Sequence, residues 1–467
     1  MKVSGGVDLR DKPDLKLHGK IVGSSLTSLL TIYCTTVAFI FSVILSALNS
    51  DRGLGQLFWP SLFLSVLSGF AFIKCGGRLI NGSSVASLGV FIFAGFAGLY
   101  ASFESSGSRA SGAIQGVLIA IVFMFVFQLA LIASSPISLE SVRVKSPVSS
   151  PAISRQARMA MGFLALMASI FGELAGVGAY TAPLGAVGIL IIIDSSLLYG
   201  WRKKKLIISV FLASIFFFFY YQFIFSGFGR LTLAVLAVGI AIIFSFHIKT
   251  RALKILVLVG SCVALPILSI QRLKFLEETR GSTPLDSEGI GSVVGPLISF
   301  GHLIEAQLDH LLELSWGLTF WDTVTLWVPR ALWPSKPQGF GVDIVQYTQP
   351  RLAGREGFSD AAMFGGELVW NFGVIGAFLC IPFVAFAIYE LNKRISFISL
   401  QNDTTSNFLS KITLFVLASG LLHFIWAGTY TYLVRIFVML VFLWSFRLLL
   451  QLSVRKKFVS SSRFGLK

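Results

Sequence analysis

The sequence predicts an all-α polytopic membrane protein with about twelve transmembrane helices and one large extracytoplasmic loop. Three observations carry this. Apolar runs long enough to cross about 30 Å of hydrocarbon recur along the chain. The composition is 55% hydrophobic and only 13% charged, whereas a soluble domain needs roughly a quarter charged residues to coat its surface. The basic residues also collect in alternate connections between apolar runs, as they do when they set orientation across a bilayer.

The runs fall near 21–47, 56–73, 83–102, 112–134, 159–178, 183–199, 206–225, 231–247, 255–270, 374–391, 409–428 and 432–452. The first follows Lys2, Arg10, Lys12, Lys16 and Lys20 and is too long for a signal h-region, so it reads as a retained helix. The fifth and sixth are separated at Tyr180-Thr181-Ala182-Pro183, where Pro is expected to end a helix pattern. Alternate connections carry Lys74 and Arg78; Arg143, Lys145, Arg155 and Arg158; Arg202 to Lys205; Lys249, Arg251 and Lys254; Lys393, Arg394 and Lys411; and the tail Arg455, Lys456, Lys457, Arg463 and Lys467. The intervening short loops carry one Arg each: Arg52, Arg109, Arg230 and Arg435. The expected topology has both termini in the cytoplasm. Its parts are a cytoplasmic segment 1–20, membrane spans over 21–270, a large loop 271–373, membrane spans over 374–452 and a basic cytoplasmic tail 453–467.

The loop is too long and too rich in Trp, Leu and Phe to be idle; Trp316, Trp321, Trp327, Trp333 and Trp370 lie in it. It is expected to pack on the outer ends of the helices. Within it, 296–315 has helical periodicity, with His302, Glu305, Asp309 and Glu313 on one side and Leu303, Ile304, Leu308, Leu311 and Leu314 on the other. This predicts an amphipathic helix along the membrane surface or across the bundle. Its polar side is either a solvated face or a His–carboxylate group facing a substrate cavity. Next, Pro329, Pro334 and Pro337 stiffen the chain around Arg330 and Lys336, with Trp327 and Trp333 beside them. An Arg fork and a nearby Lys suit phosphate; an interfacial anchor is the alternative. Glu367 follows, just before the tenth run.

The net charge of +16 accompanies no nucleic-acid motif, and positive connections account for it. Cys34, Cys75, Cys262 and Cys380 form no disulfide framework or C-x-x-C site and are expected to be small buried hydrophobes. There is no D-x-D, Walker A or G-x-S-x-G sequence and no His/Cys/Asp cluster with metal-ligand spacing. Arg230 stands at the end of the eighth run, either a functional cation or a snorkelling one. Glu173 and His423 are placed to border the same cavity, while Asp194, His247 and Arg447 read as structural.

The run Gly317-x-Thr319 … Val328-Pro329-Arg330-x-Leu332-Trp333-Pro334-x-Lys336-Pro337, with Gly366-Glu367 … Asn371-Phe372-Gly373-x-x-Gly376, resembles the Wzy-type O-antigen or oligosaccharide repeat-unit polymerases. Gly227-Phe228-Gly229-Arg230 looks like that family's Gly/Ser-rich element ending in Arg, with Gly229 where related proteins often have Ser. The resemblance implies a GT-C-like fold in a bacterial inner membrane and a glycosyltransferase working on its periplasmic face. A growing glycan would pass from undecaprenyl pyrophosphate to the non-reducing end of a new lipid-linked repeat unit. The implied partners are the lipid-linked donor and acceptor, membrane lipid and a chain-length regulator protein, with no nucleic acid.

That chemistry needs cations for the leaving group and a base for the acceptor hydroxyl. Arg230, Arg330 and Lys336 are the expected pyrophosphate ligands, with Arg272, Arg351, Arg355, Arg435 and Trp333 as weaker substrate-binding candidates. Glu367, His302, Glu305 and Asp309 remain open as the catalytic group. No metal or cofactor is expected, because Arg and Lys supply the positive charge. An O-antigen ligase-like transferase would share fold and arginines, and a lipid-linked oligosaccharide flippase is a further alternative. A flippase would tend to show internal repeats and charges lining the bilayer middle, which the sequence lacks.

Overall fold

Apolar sequence without alternation folds here into helices throughout; among the described residues there is no strand. The computed structural model describes all residues except 1–14, 49, 105–108, 135–153, 177, 198–202, 224–229, 249, 281–289, 326, 327, 329–331, 335, 337, 338, 356, 357, 400–404 and 465–467. In order, the helices are α1 (Leu15–Leu48), α2 (Phe58–Lys74), α3 (Gly82–Val90), α4 (Ala97–Ala101), α5 (Ile114–Ser134), α6 (Arg155–Leu174), α7 (Gly178–Leu197), α8 (Lys203–Phe223), α9 (Arg230–Ser245), α10 (Thr250–Arg280), α11 (Gly291–Leu308), α12 (Leu318–Thr325), α13 (Phe340–Asp343), α14 (Val345–Thr348), α15 (Met363–Ser399) and α16 (Thr405–Phe464). A π-helical turn, Phe91–Phe96, joins α3 to α4. Seven stretches are long and apolar enough to cross a membrane, and four shorter apolar helices accompany them. The protein is membrane-embedded. Large apolar side chains such as Leu30, Val66, Phe211, Phe383 and Trp444 face outward, as lipid-facing residues must.

Two of the longest helical stretches are broken by glycines in the left-handed region. Gly428 (φ 84°) interrupts α16. The Tyr432 hydroxyl donates to the Leu417 carbonyl at 3.1 Å, yet fifteen residues of straight helix would separate them by about 22 Å. The chain therefore folds back at Gly428, and the apolar runs 409–428 and 432–452 are the two arms of one hairpin. Gly373 (φ 70°) does the same to α15. Phe364 and Phe378 both contact Phe123, although straight helix would hold them about 21 Å apart. Helix ends leave backbone groups without partners, and both ends at Gly373 are supplied. Ser315 N–H and Trp316 N–H donate to the Trp370 and Asn371 carbonyls, each at 3.0 Å. The Gln307 side chain accepts from Val374 N–H at 2.8 Å.

Three expectations change. The predicted amphipathic helix over 296–315 is α11, which starts earlier and stops at Leu308. It crosses the bundle, with Leu297, Phe300, Leu303 and Ile304 buried. Its polar side is half-buried against the start of α5 and the turn before it: Glu305 Oε1 accepts from Gly116 N–H at 3.1 Å, and His302 Nε2 lies 3.0 Å from the Arg109 carbonyl. The helices touch backbone to backbone; a Cβ on Gly116 would lie 2.0 Å from the Gly301 carbonyl oxygen. Second, helix extends into both ends of the predicted loop 271–373: α10 runs on to Arg280, and the arm of α15 that precedes the Gly373 break begins at Met363. Third, Pro183 lies inside α7 and does not end a helix. The break belongs to Gly176 at φ 75°, a conformation that Gly adopts without steric cost. Cys34 and Cys262 are exposed rather than buried, and Cys75 alone is fully buried; lipid-facing positions suit a small apolar thiol as well.

Residues of the predicted loop pack against the connection between α4 and α5 and against one another. Arg109 forms an ion pair with Asp360 at 3.1 Å and also donates to Ser299 of α11 at 2.8 Å. Trp370 is buried edge-on against Phe340 and Tyr347.

Candidate functional site

The Gly428 hairpin tip is where distant parts of the sequence meet. Glu367, only 1% exposed, places one carboxylate oxygen 2.5 Å from Thr429 N–H and the other 3.2 Å from the Thr319 hydroxyl. Thr429 begins the second arm of the hairpin, so Glu367 caps a helix N-terminus, where unpaired N–H groups and the helix dipole favour negative charge. Asn371, one turn on from Glu367, donates to the Thr319 hydroxyl and to the Glu367 carbonyl, both at 2.7 Å. Its side-chain oxygen accepts from Gly317 N–H at 2.9 Å. Gly317, Thr319, Glu367, Asn371 and Thr429 thus form one network. Gly428 must be Gly: its φ is 84° and a Cβ there would lie 2.3 Å from Glu367 Oε2.

A second group adjoins the same tip. Gly339, at φ 101°, packs on the Tyr430 ring and leads into α13. Asp343 ends that helix. Asp322, one turn along α12 from Thr319, is buried. Burial raises the Asp322 carboxyl above the ordinary carboxylate range, and the nearby Lys336 ammonium partly opposes the rise. Asp343 is likewise raised, first by burial and then by the charge of Asp322. Lys336 donates to the Val328 carbonyl at 3.2 Å. Perturbed carboxyls beside a cation mark candidate functional positions. Sequence reading passed over Asp322 and Asp343; the available signal was the spacing Thr319-x-x-Asp322, which puts both on one face of α12.

The third component is Arg435, about 9 Å of helix rise beyond Thr429. It donates to the Thr232 hydroxyl at 3.1 Å and lies 3.3 Å from His423 Nδ1. Among the described residues no carboxylate comes within ion-pair distance of it. His423 thus adjoins Arg435, while Glu173 lies against Gly178 at the start of α7. Thr232 lies in the first turn of α9, which Arg230 opens.

Other sequence-chosen residues fall elsewhere. His302 and Glu305 fasten α11 to the start of α5 and do not join the network. Asp309 is exposed at the end of α11. Arg351 and Arg355 are exposed, and Trp333 is half-buried. Arg330 and the side chains of Arg230 and Arg272 lie outside the described residues. Comparison with known proteins finds no family model, no curated protein and no solved structure that matches the chain.

Proposed function

We propose that the protein is a glycosyltransferase that polymerises lipid-linked oligosaccharide repeat units, with the hairpin tip as its active centre. The observation that carries this reading is the convergence at Gly428. Residues about fifty positions apart in sequence, Thr319 and Glu367, are bonded to each other, and they stand beside a carboxyl pair and an Arg whose partners are neutral. In this reading the chain crosses the membrane about twelve times, has a GT-C-like arrangement and turns the tip toward the periplasm of a bacterial inner membrane. The partners are an undecaprenyl-pyrophosphate-linked donor and acceptor.

The placement of Asp322, Lys336 and Arg435 supports the following chemistry. Arg435, with Arg230, Arg330 and Lys336, neutralises the pyrophosphate as it leaves. The acceptor hydroxyl oxygen bonds to the anomeric carbon of the growing chain, and the anomeric C–O bond breaks with its electron pair going to pyrophosphate. The hydroxyl proton passes to Asp322, whose raised carboxyl is a stronger base than an ordinary Asp. Glu367 is a positioning residue: it holds the tip and leaves Asp322 as the proton acceptor. No step calls on a metal.

The test is glycan profiling with the protein's own lipid-linked substrate. Arg435→Ala and Asp322→Asn should each lower transfer by about a hundredfold or more, the size typical for removing one charge-stabilising or acid–base group. Cells lacking the protein should attach single repeat units in place of long chains; complete absence of attached glycan would instead identify a ligase. Normal long polymer in both variants at wild-type protein levels would overturn the assignment.

A further inference from the structure

The opposite end of the same hairpins carries a second feature. From Gly428 to Arg447, and from Gly373 to Arg394, the helices rise about 28 and 31 Å, close to the thickness of a bilayer's hydrocarbon. At that far end, the C-terminal part of α15 and both arms of α16 enclose a cleft of about 720 Å³. Its walls are apolar, with Leu417 and Leu440 towards the bilayer interior and Phe397 and Trp444 towards the rim. Phe397 and Trp444 are about two-thirds exposed, at 63% and 62%. Its rim is basic: Lys393, Arg394 and Arg447 line it, against the single acid Glu390. Glu390 pairs with Lys393 at 3.6 Å. Among the described residues, Arg394 and Arg447 have no carboxylate within ion-pair distance.

We infer that this cleft is a binding site for an anionic glycerophospholipid, with its phosphate between Arg394 and Arg447 and an acyl chain along the Leu417–Leu440 wall. Charge complementarity selects this occupant. A zwitterionic lipid offers the same phosphate but brings its own ammonium against a rim that already holds Lys393, Arg394 and Arg447. A free oxyanion would leave the apolar trough unfilled. Basic pockets between transmembrane helices are suited to anionic head groups, and Trp at the rim matches the head-group level. The site is remote from the hairpin tip and does not depend on the catalytic assignment.

Trp444 supplies the local probe. The full chain is reconstituted in phosphatidylcholine vesicles that contain a minority of lipid brominated in the acyl chains, either phosphatidylglycerol or phosphatidylcholine. The Trp444 signal is taken as the difference between wild type and Trp444→Phe. Brominated phosphatidylglycerol should occupy the cleft about tenfold more strongly than brominated phosphatidylcholine, as expected when two or three basic groups meet one anionic head group near a surface. Arg394→Gln with Arg447→Gln should remove the preference. Arg394→Lys with Arg447→Lys should keep it, which separates charge from any folding defect. Equal quenching by the two lipids in wild type would overturn the proposal. So would loss of the preference on adding millimolar inorganic phosphate with matched ionic strength, because the site would then belong to a small oxyanion.

Discussion

Asp194 and Glu367 are both buried carboxylates in the helical bundle, and they are stabilised in opposite ways. Asp194 forms an ion pair with Lys411 at 2.5 Å. Lys411 in turn lies near the rings of Phe246 and Phe415, and the second Asp194 oxygen has no partner among the described residues. Glu367 has no Lys or Arg within ion-pair distance among the described residues. Neutral donors hold it: a Thr hydroxyl and the first N–H of a helix arm. One carboxylate is cancelled by a cation, about 25 Å of helix rise from Gly428. The other is held by geometry at a break in the backbone. The first fastens elements together; the second shapes a place where the chain changes direction.

The largest expected effect comes from truncating Glu367. Glu367→Ala leaves the Thr429 N–H and the Thr319 hydroxyl without their acceptor. Each buried donor left unsatisfied costs about 1–3 kcal/mol, so thermal unfolding in detergent should show a loss of roughly 2–6 kcal/mol and transfer should cease. Glu367→Gln sharpens the point. An amide oxygen can still accept from Thr429 N–H, so most of the stability should return.

Asp194 should respond in reverse. Asp194→Asn leaves Lys411 as an uncompensated buried cation, and breaking one side of such a pair costs about 3–5 kcal/mol. Asp194→Leu with Lys411→Met removes both charges and should come back to within about 1 kcal/mol of wild type or better. The comparison breaks if Glu367→Gln and Asp194→Asn lose similar stability, because both sites would then depend on net charge.

A smaller effect tests the carboxyl pair at the tip. In the proposed reaction Asp322 must be ionised to accept the proton, so activity should fall as the pH drops through its raised pKa. Lys336 opposes that rise. Lys336→Gln should therefore move the acidic limb of the kcat profile to higher pH, whereas Asp343→Asn leaves the burial of Asp322 in place and should move the limb much less. A limb unmoved by Lys336→Gln would remove Asp322 from the reaction.

Much of the architecture is legible in the sequence because hydrocarbon imposes a length on each apolar run. Among the described residues helix covers most of each of the twelve apolar runs, and seven stretches are long and apolar enough to cross a membrane. The pair 409–428 and 432–452 was separable although no proline divides it. What the sequence hid was the packing of α11. A helix carrying His302, Glu305 and Asp309 has the pattern of a surface helix, yet its first two polar groups are half-buried against the backbone around the start of α5 and only Asp309 is exposed. The site was legible in part. Gly317, Thr319, Glu367 and Asn371 stood out as motif residues, but their hydrogen bonding could not be read from spacing across some fifty residues. Asp322 has only the Thr319-x-x-Asp322 spacing to mark it, and one such pair in a short helix is a weak signal. Its significance comes from Asp343 and Lys336, which only the fold brings near.

The smallest predicted effect concerns two arginines that sequence reading ranked alongside Arg435. Arg351 and Arg355 are exposed in the loop, and no carboxylate among the described residues lies within ion-pair distance of either. Solvent already satisfies an exposed guanidinium, so its removal costs little: surface substitutions away from caps and networks usually stay within about 0.5 kcal/mol. Arg435 differs in having Thr232 and His423 as its partners at the hairpin tip, where a guanidinium cannot be fully hydrated and gains most from an incoming anion. Arg351→Ala with Arg355→Ala should leave both chain-length distribution and unfolding temperature unchanged, while Arg435→Ala shortens the glycan. If the loop pair instead shortens the glycan as strongly as Arg435→Ala, the pyrophosphate is held above the tip by the loop, and the hairpin is its support.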